Sequence, residues 1–256
     1  MTGKLRSDKG FSSFKIPLRI GAAAALLSEL FFRPNYGAEF MAFNGFGIFK
    51  VPEVLPTNVE GWFALFTETP LVGLVLLDGA DLIHYALVGF IFLGIAIVLK
   101  ETTPVLVPIA VGISLVGILI YFGSNPAFRF FQISKEYIST GSESQRLILA
   151  AAGDNLLGLS DLNISYRSAG IFISQFLILI AGLLLSTGML KNDSFRRIAA
   201  LTGLVANGVG LLYFPVLVWL PALNWLPPTL SAPFRMLWHF LIAGSLLKLS
   251  RSQGSE

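Results

Sequence analysis

The sequence predicts an all-α fold, a polytopic transmembrane helical bundle of six spans with a helical outer loop between spans three and four. Three observations carry this. Of the 256 residues, 54% are hydrophobic and 13% charged, where about a quarter are charged in an ordinary soluble chain; the mean hydropathy is +0.74. Six stretches approach or exceed the roughly 20 apolar residues that a helix needs to cross about 30 Å of hydrocarbon. Runs such as "FLILIAGLLL" do not alternate polar with apolar residues, as the strands of a membrane β-barrel must.

In chain order the spans cover approximately residues 15–33, 71–99, 104–122, 168–190, 196–220 and 232–249. The first follows a basic stretch, as the apolar part of a signal peptide does. Arg19 interrupts it and no small-residue cleavage site ends it, so it reads as an uncleaved span. Residues 34–69 hold no stable period, and their Pro and Gly positions predict a folded loop or interfacial segment. The second span is longer than a bilayer requires. After the third, residues 125–160 read as two short helices on or in the outer surface. Asn125 and Pro126 open the first, Gly141 ends it, and Ser142 with Gln145 makes a capping box for the second.

In the fifth span Ala199, Gly203 and Asn207 recur every four residues, which predicts close helix packing with Asn207 donating across the interface. Pro215 and Pro221 bend or end that helix. Residues 1–256 form a single integral membrane domain, with 251–256 as a disordered tail.

Lys and Arg counts orient the bundle. With the N-terminus inside, eleven basic residues flank the spans on the cytoplasmic side and seven fall outside, most of those in the two long loops. Both termini are therefore expected in the cytoplasm and the chain in the cell membrane.

The segment "NPAFRFFQISKEYISTGSESQRLILAAAGDNLLG", the Asp in the second span and the closing "WHFLIAGSLLKL" resemble an uncharacterised family of six-span bacterial and archaeal integral membrane proteins, defined by a domain of unknown function. The resemblance implies membrane location and architecture. It lends no catalytic residue, because no activity is established for that family.

The ionisable residues inside the spans are the candidates for function, since a charge at hydrocarbon depth costs at least ~2.5 kcal/mol and is usually paired or wetted. Counting about 1.5 Å per residue from a boundary at Lys15, Lys100 and Lys248 puts Glu29 and Arg235 level, at about 21 and 20 Å. His84 follows at about 24 Å, Asp81 at about 28 Å and Asp78 at about 33 Å, with His239 deepest at about 14 Å. The expected pairing is Arg235 with Glu29 or Asp81, in an outer-half polar pocket of Glu29, Asp78, Asp81, His84, Arg235 and His239. A purely structural cluster is the competing reading.

Other chemistries are thinly supported. The chain has no Cys and two His, so disulfides and thiolate chemistry are excluded, and no metal or cofactor is expected. Asp81 and His84 invite a hydrolase reading, but no serine is singled out. There is no phosphate-binding loop and no aromatic-basic stripe for nucleic acid. The expected partners are the lipid bilayer and a small-molecule or lipid ligand. Three readings follow: a protein that binds or translocates a small ligand or proton, a membrane enzyme acting on a lipid or isoprenoid, and an assembly protein without ligand.

Overall fold

The computed structural model describes residues 14–30, 52, 54–160 and 168–251. Among them there is no strand, and the chain is a succession of helices. They are α1 (Lys15–Leu27, tightening into a 3-10 turn Ser28–Leu30), α2 (Val59–Glu68), α3 (Pro70–Leu74), a π-type turn (Val75–Gly79), α4 (Ala80–Leu99), α5 (Leu106–Ser124), α6 (Ala127–Ser139), α7 (Glu143–Ser160), α8 (Ala169–Met189), α9 (Arg197–Leu211), α10 (Tyr213–Trp219), a 3-10 turn (Pro221–Leu223) and α11 (Leu226–Arg251).

Among the described residues, five helical stretches are long and apolar enough to cross a membrane: Pro70–Leu99, Leu106–Ser139, Ala169–Met189, Arg197–Trp219 and Pro221–Arg251. They mark the chain as a membrane protein. The first expected span is shorter than these. Its 13 α-helical residues and one 3-10 turn reach about 26 Å, and residues 31–33 lie outside the described residues.

The contacts gather the chain into two compact units, one drawn from Met1–Leu30, Tyr85–Leu119 and Ser174–Glu256, the other from Phe31–His84 and Ile120–Ile173. In the first, α11 packs along both α1 and α9. Its core includes Leu18, Ala22, Ile91, Ile95, Leu185, Trp238, Ile242 and Leu246. Lipid is as apolar as these side chains, so close fit and dispersion, rather than escape from water, hold such helices together. Gly21 makes that fit possible. A Cβ there would stand 3.1 Å from the Gly94 Cα and 3.2 Å from Leu246 Cδ1, so Gly21, Gly94 and Leu246 share one level of the bundle.

On α9 the expected close packing is present, but Asn207 does not donate across it. Its Nδ2 donates to the Gly203 carbonyl of its own helix at 2.7 Å. The amide lies instead in the space that Gly182 of α8 leaves, where a Cβ would come within 2.3 Å of Asn207 Oδ1. Pro215 has no N–H to continue the ladder, and α9 gives way to α10 at Leu212.

The second unit is built on α2, α6 and α7 around Val59, Phe63, Phe66, Leu77, Phe130 and Leu156. Phe130 sits 5.1 Å, centroid to centroid, from both Phe63 and Phe66, and each tilted pair is worth about 0.5–1.5 kcal/mol beyond its buried area. Of the segment 34–69, expected as a folded loop or interfacial segment, residues 34–51 and 53 lie outside the described residues, and the remainder holds the helix α2. Asn58 caps it by accepting the Gly61 N–H at 3.0 Å, and Val59, Phe63 and Phe66, spaced four and three apart, are its buried stripe. The two short helices expected in 125–160 are present and pack on one another. The Ala127 N–H donates to Asn125 Oδ1 at 3.1 Å and the Gln145 N–H to Ser142 Oγ at 3.4 Å. The reciprocal half of the capping box does not form, because Gln145 Oε1 accepts the Thr140 hydroxyl at 2.8 Å.

Candidate functional site: a buried carboxylate-imidazole pair

Among the described residues, each compact unit has a set of polar side chains that interrupts its apolar packing. The first lies where α1 tightens into its 3-10 turn. Glu29 Oε1 is 2.5 Å from His239 Nδ1, with the two side chains 10% and 2% exposed. The Ser28 oxygen is 3.1 Å from the same nitrogen, while its hydroxyl donates to the Ala25 carbonyl at 3.1 Å.

This geometry constrains the protons. Two lone pairs cannot face each other at 2.5 Å, so a proton lies between Glu29 and His239, on the imidazole nitrogen or on the carboxyl. Ser28 donates its hydroxyl hydrogen to Ala25, so it can face His239 only as an acceptor, when Nδ1 carries the proton. A serine–histidine–carboxylate triad needs its serine and its acid on opposite ring nitrogens. Here both meet Nδ1, so Ser28 is not placed as a nucleophile.

Arg235 is half-buried one turn before His239 on α11. Its Nη2 donates to Ser231 Oγ at 3.4 Å, and the guanidinium lies within electrostatic reach of Tyr85 and Glu29. Trp238 closes the other flank, with its ring 5.5 Å from that of His239 and 6.2 Å from that of Phe92. Glu29, Arg235 and His239 are thus brought together, with His239 rather than Arg235 in contact with the carboxylate.

The register explains this arrangement. With Gly21 and Leu246 level, Glu29 lies about 12 Å along α1 and His239 about 10.5 Å along α11, in the same direction, whereas Arg235 lies at about 16.5 Å. Anchoring both helices on their terminal lysines shifts α11 by about one turn, because Arg251 and not Lys248 approaches the level of Lys15.

The second cluster lies at the π-type turn before α4. Leu77 (φ −101°, ψ 49°) and Asp78 (φ 63°, ψ 10°) leave the helical region, and Asp78 is the one non-glycine residue at positive φ among the described residues. A broken helix exposes carbonyls that hydrocarbon cannot satisfy, and Asn125 Nδ2 donates to the Asp78 carbonyl at 2.8 Å. Asp81 Oδ2 accepts the Tyr121 hydroxyl at 3.0 Å, and Asn125 Nδ2 approaches that hydroxyl at 3.5 Å. Asp78 and His84 are buried, at 4% and 8% exposure.

Ser28, Tyr121 and Asn125 are the participants that the sequence did not single out as site residues. Tyr121 was detectable as a lone phenol in an apolar helix, four residues from Asn125 and thus on its face. Among the described residues no group of three His, Asp or Glu is gathered to hold a metal. Compared with protein-family models, with curated proteins and with solved structures, the chain finds no match.

Proposed function

We propose that the chain is a six-span protein of the cell membrane, with both termini in the cytoplasm, whose Glu29–His239 pocket in the outer half binds or passes a small ligand or a proton. One observation carries the reading: a carboxyl oxygen and an imidazole nitrogen meet at 2.5 Å inside an apolar bundle, with side-chain exposures of 10% and 2%. Ionisable groups at such depth are expensive and concentrate at ion, proton and ligand paths. Arg235 supplies a positive charge beside the pair and suits an anionic group on a ligand. The sixth crossing is α1, added to the five long apolar helices.

The test uses the purified chain in proteoliposomes holding a pH-sensitive dye, under an imposed potassium diffusion potential. The wild type is expected to carry protons faster than empty vesicles, and Glu29→Gln and His239→Gln to abolish the difference while keeping helical content. Equal rates for wild type and empty vesicles would remove the proton reading. Mass spectrometry of the wild type against Arg235→Gln then asks whether a small anionic molecule co-purifies. If neither signal is found, and Glu29→Gln and His239→Gln each lose expression that the double variant restores, the pair is structural.

The second cluster favours a structural role. Asn125 satisfies a carbonyl that the helix break leaves open, and Tyr121 donates to the Asp81 carboxylate in the first turn after it. The cluster's test is stability rather than flux.

A further inference from the structure

The face of α11 that carries Gly244, Leu247, Lys248 and Arg251 opens into a groove of about 550 Å³. Gly244 lies three and four residues before Leu247 and Lys248, and Arg251 four and three after them, so the four form one stripe. Gly244 leaves the upper part bare: a Cβ there would have nothing within 4 Å. Leu247 is half-buried, and Lys248 and Arg251 are exposed. An apolar notch therefore leads directly to two cations.

The level of these cations follows from the Gly21–Gly94–Leu246 contact. Lys248 and Arg251 lie about 3 and 7.5 Å beyond it, and Lys15 and Lys100 about 9 Å beyond it in the same direction. Four basic residues thus collect at one end of this unit, the end opposite to the Glu29–His239 pair. There Lys100 Nζ also rests 4.1 Å above the Phe14 ring, as amphipathic side chains do where hydrocarbon meets the polar headgroups.

We propose that this groove holds one anionic phospholipid, with an acyl chain in the Gly244–Leu247 notch and the phosphate between the Lys248 ammonium and the Arg251 guanidinium. The guanidinium presents a planar fork of donors that matches phosphate oxygens, and the lysine adds a mobile point charge. Basic residues at the membrane boundary favour anionic over zwitterionic headgroups. Both cations also stand in the last turn of α11, where they complement the helix dipole. That role needs neither the notch nor a lipid, so the two are separable by experiment.

The purified full-length chain is incubated in detergent with phosphatidylglycerol and phosphatidylcholine in equal amounts, and retained lipid is read by native mass spectrometry. The wild type is expected to keep one phosphatidylglycerol in preference to phosphatidylcholine by about tenfold. Lys248→Ala/Arg251→Ala should reduce the preference to about twofold or less. Gly244→Leu should remove the bound lipid by filling the notch while the melting temperature holds, since the position is open and leucine favours helix.

Equal retention of the two lipids by the wild type overturns the proposal, as does undiminished preference in the double variant. Displacement of the adduct by inorganic phosphate alone also overturns it, because the acyl chain would then contribute nothing. Loss of melting temperature in Lys248→Ala/Arg251→Ala with lipid preference intact assigns the cations to the helix dipole instead.

Discussion

Among the described glycines of the first unit, Gly203 has the least room for a side chain. A Cβ there would come within 2.2 Å of Ser186 Oγ and 2.5 Å of Trp238 Nε1, and both of those atoms are buried without a hydrogen-bond partner. Most neighbouring hydroxyls turn back onto carbonyls of their own helix, as Thr187 and Thr202 do. Ser186 instead packs against the glycine, together with the indole. Gly203→Ala is therefore expected to cost about 1–3 kcal/mol, the range for overfilling a packed core, read as a lower thermal midpoint in detergent. Trp238→Phe removes an unsatisfied donor and should cost less than Gly203→Ala. If Gly203→Ala melts at the wild-type temperature, the packing of Ser186 and Trp238 on Gly203 is looser than these distances imply.

Charge identity was legible in the sequence at this same scale and partnership was not. Glu29, Arg235 and His239 stood out because any ionisable group in an apolar run does. Which one touches Glu29 depends on helix register. That is set by small contacts such as Gly21 against Leu246, and an error of one turn exchanges Arg235 for His239.

Among the elements, the helix break before α4 tests how local backbone and distant side chains share a burden. A residue other than glycine at φ 63° pays a steric penalty of about 1–2 kcal/mol, which aspartate tolerates better than most. The next residue must be small as well, since a Cβ on Gly79 would stand 2.4 Å from the Leu74 carbonyl oxygen. Comparing Asp78→Ala with Asp78→Gly isolates the backbone, because both lose the carboxylate and only alanine keeps a Cβ. Asp78→Gly should be the more stable by about 1 kcal/mol, and equal unfolding midpoints would show that the left-handed turn carries no strain.

Asn125→Ala should cost about 1–3 kcal/mol in the same assay, the penalty for leaving a buried carbonyl unsatisfied. Its amide serves Asp78 and its oxygen caps α6. From the sequence, the acidic pair at the start of the span was evident and the break was not. The residues "VLLDG" contain one glycine and no proline, and the clamp that permits the break lies 47 residues away, a separation that local pattern does not report.

For the molecule as a whole, composition and run length were enough to place the chain in a membrane, because every long apolar helix must either hide its faces or give them to lipid. The helix α2 was not legible there for the opposite reason. Its stripe of Val59, Phe63 and Phe66 is short, and it gains meaning only against Phe130 and Leu156. What run length alone leaves open is whether α1 completes a sixth crossing, and that choice has a topological consequence. Six crossings return the C-terminus to the side of the N-terminus, and five leave the two ends on opposite sides.

The absence of cysteine from the sequence makes this directly measurable, since any introduced thiol is unique. Ser7→Cys and Ser252→Cys are expected to resist a membrane-impermeant maleimide added to intact cells and to react after permeabilisation. Ser144→Cys, beside the start of α7, should react from outside at once. Labelling of one terminus but not the other in intact cells would give five crossings. It would make α1 a helix that packs along α11 without traversing the bilayer, and with it the Glu29–His239 pair would lose its place on a path from one side to the other.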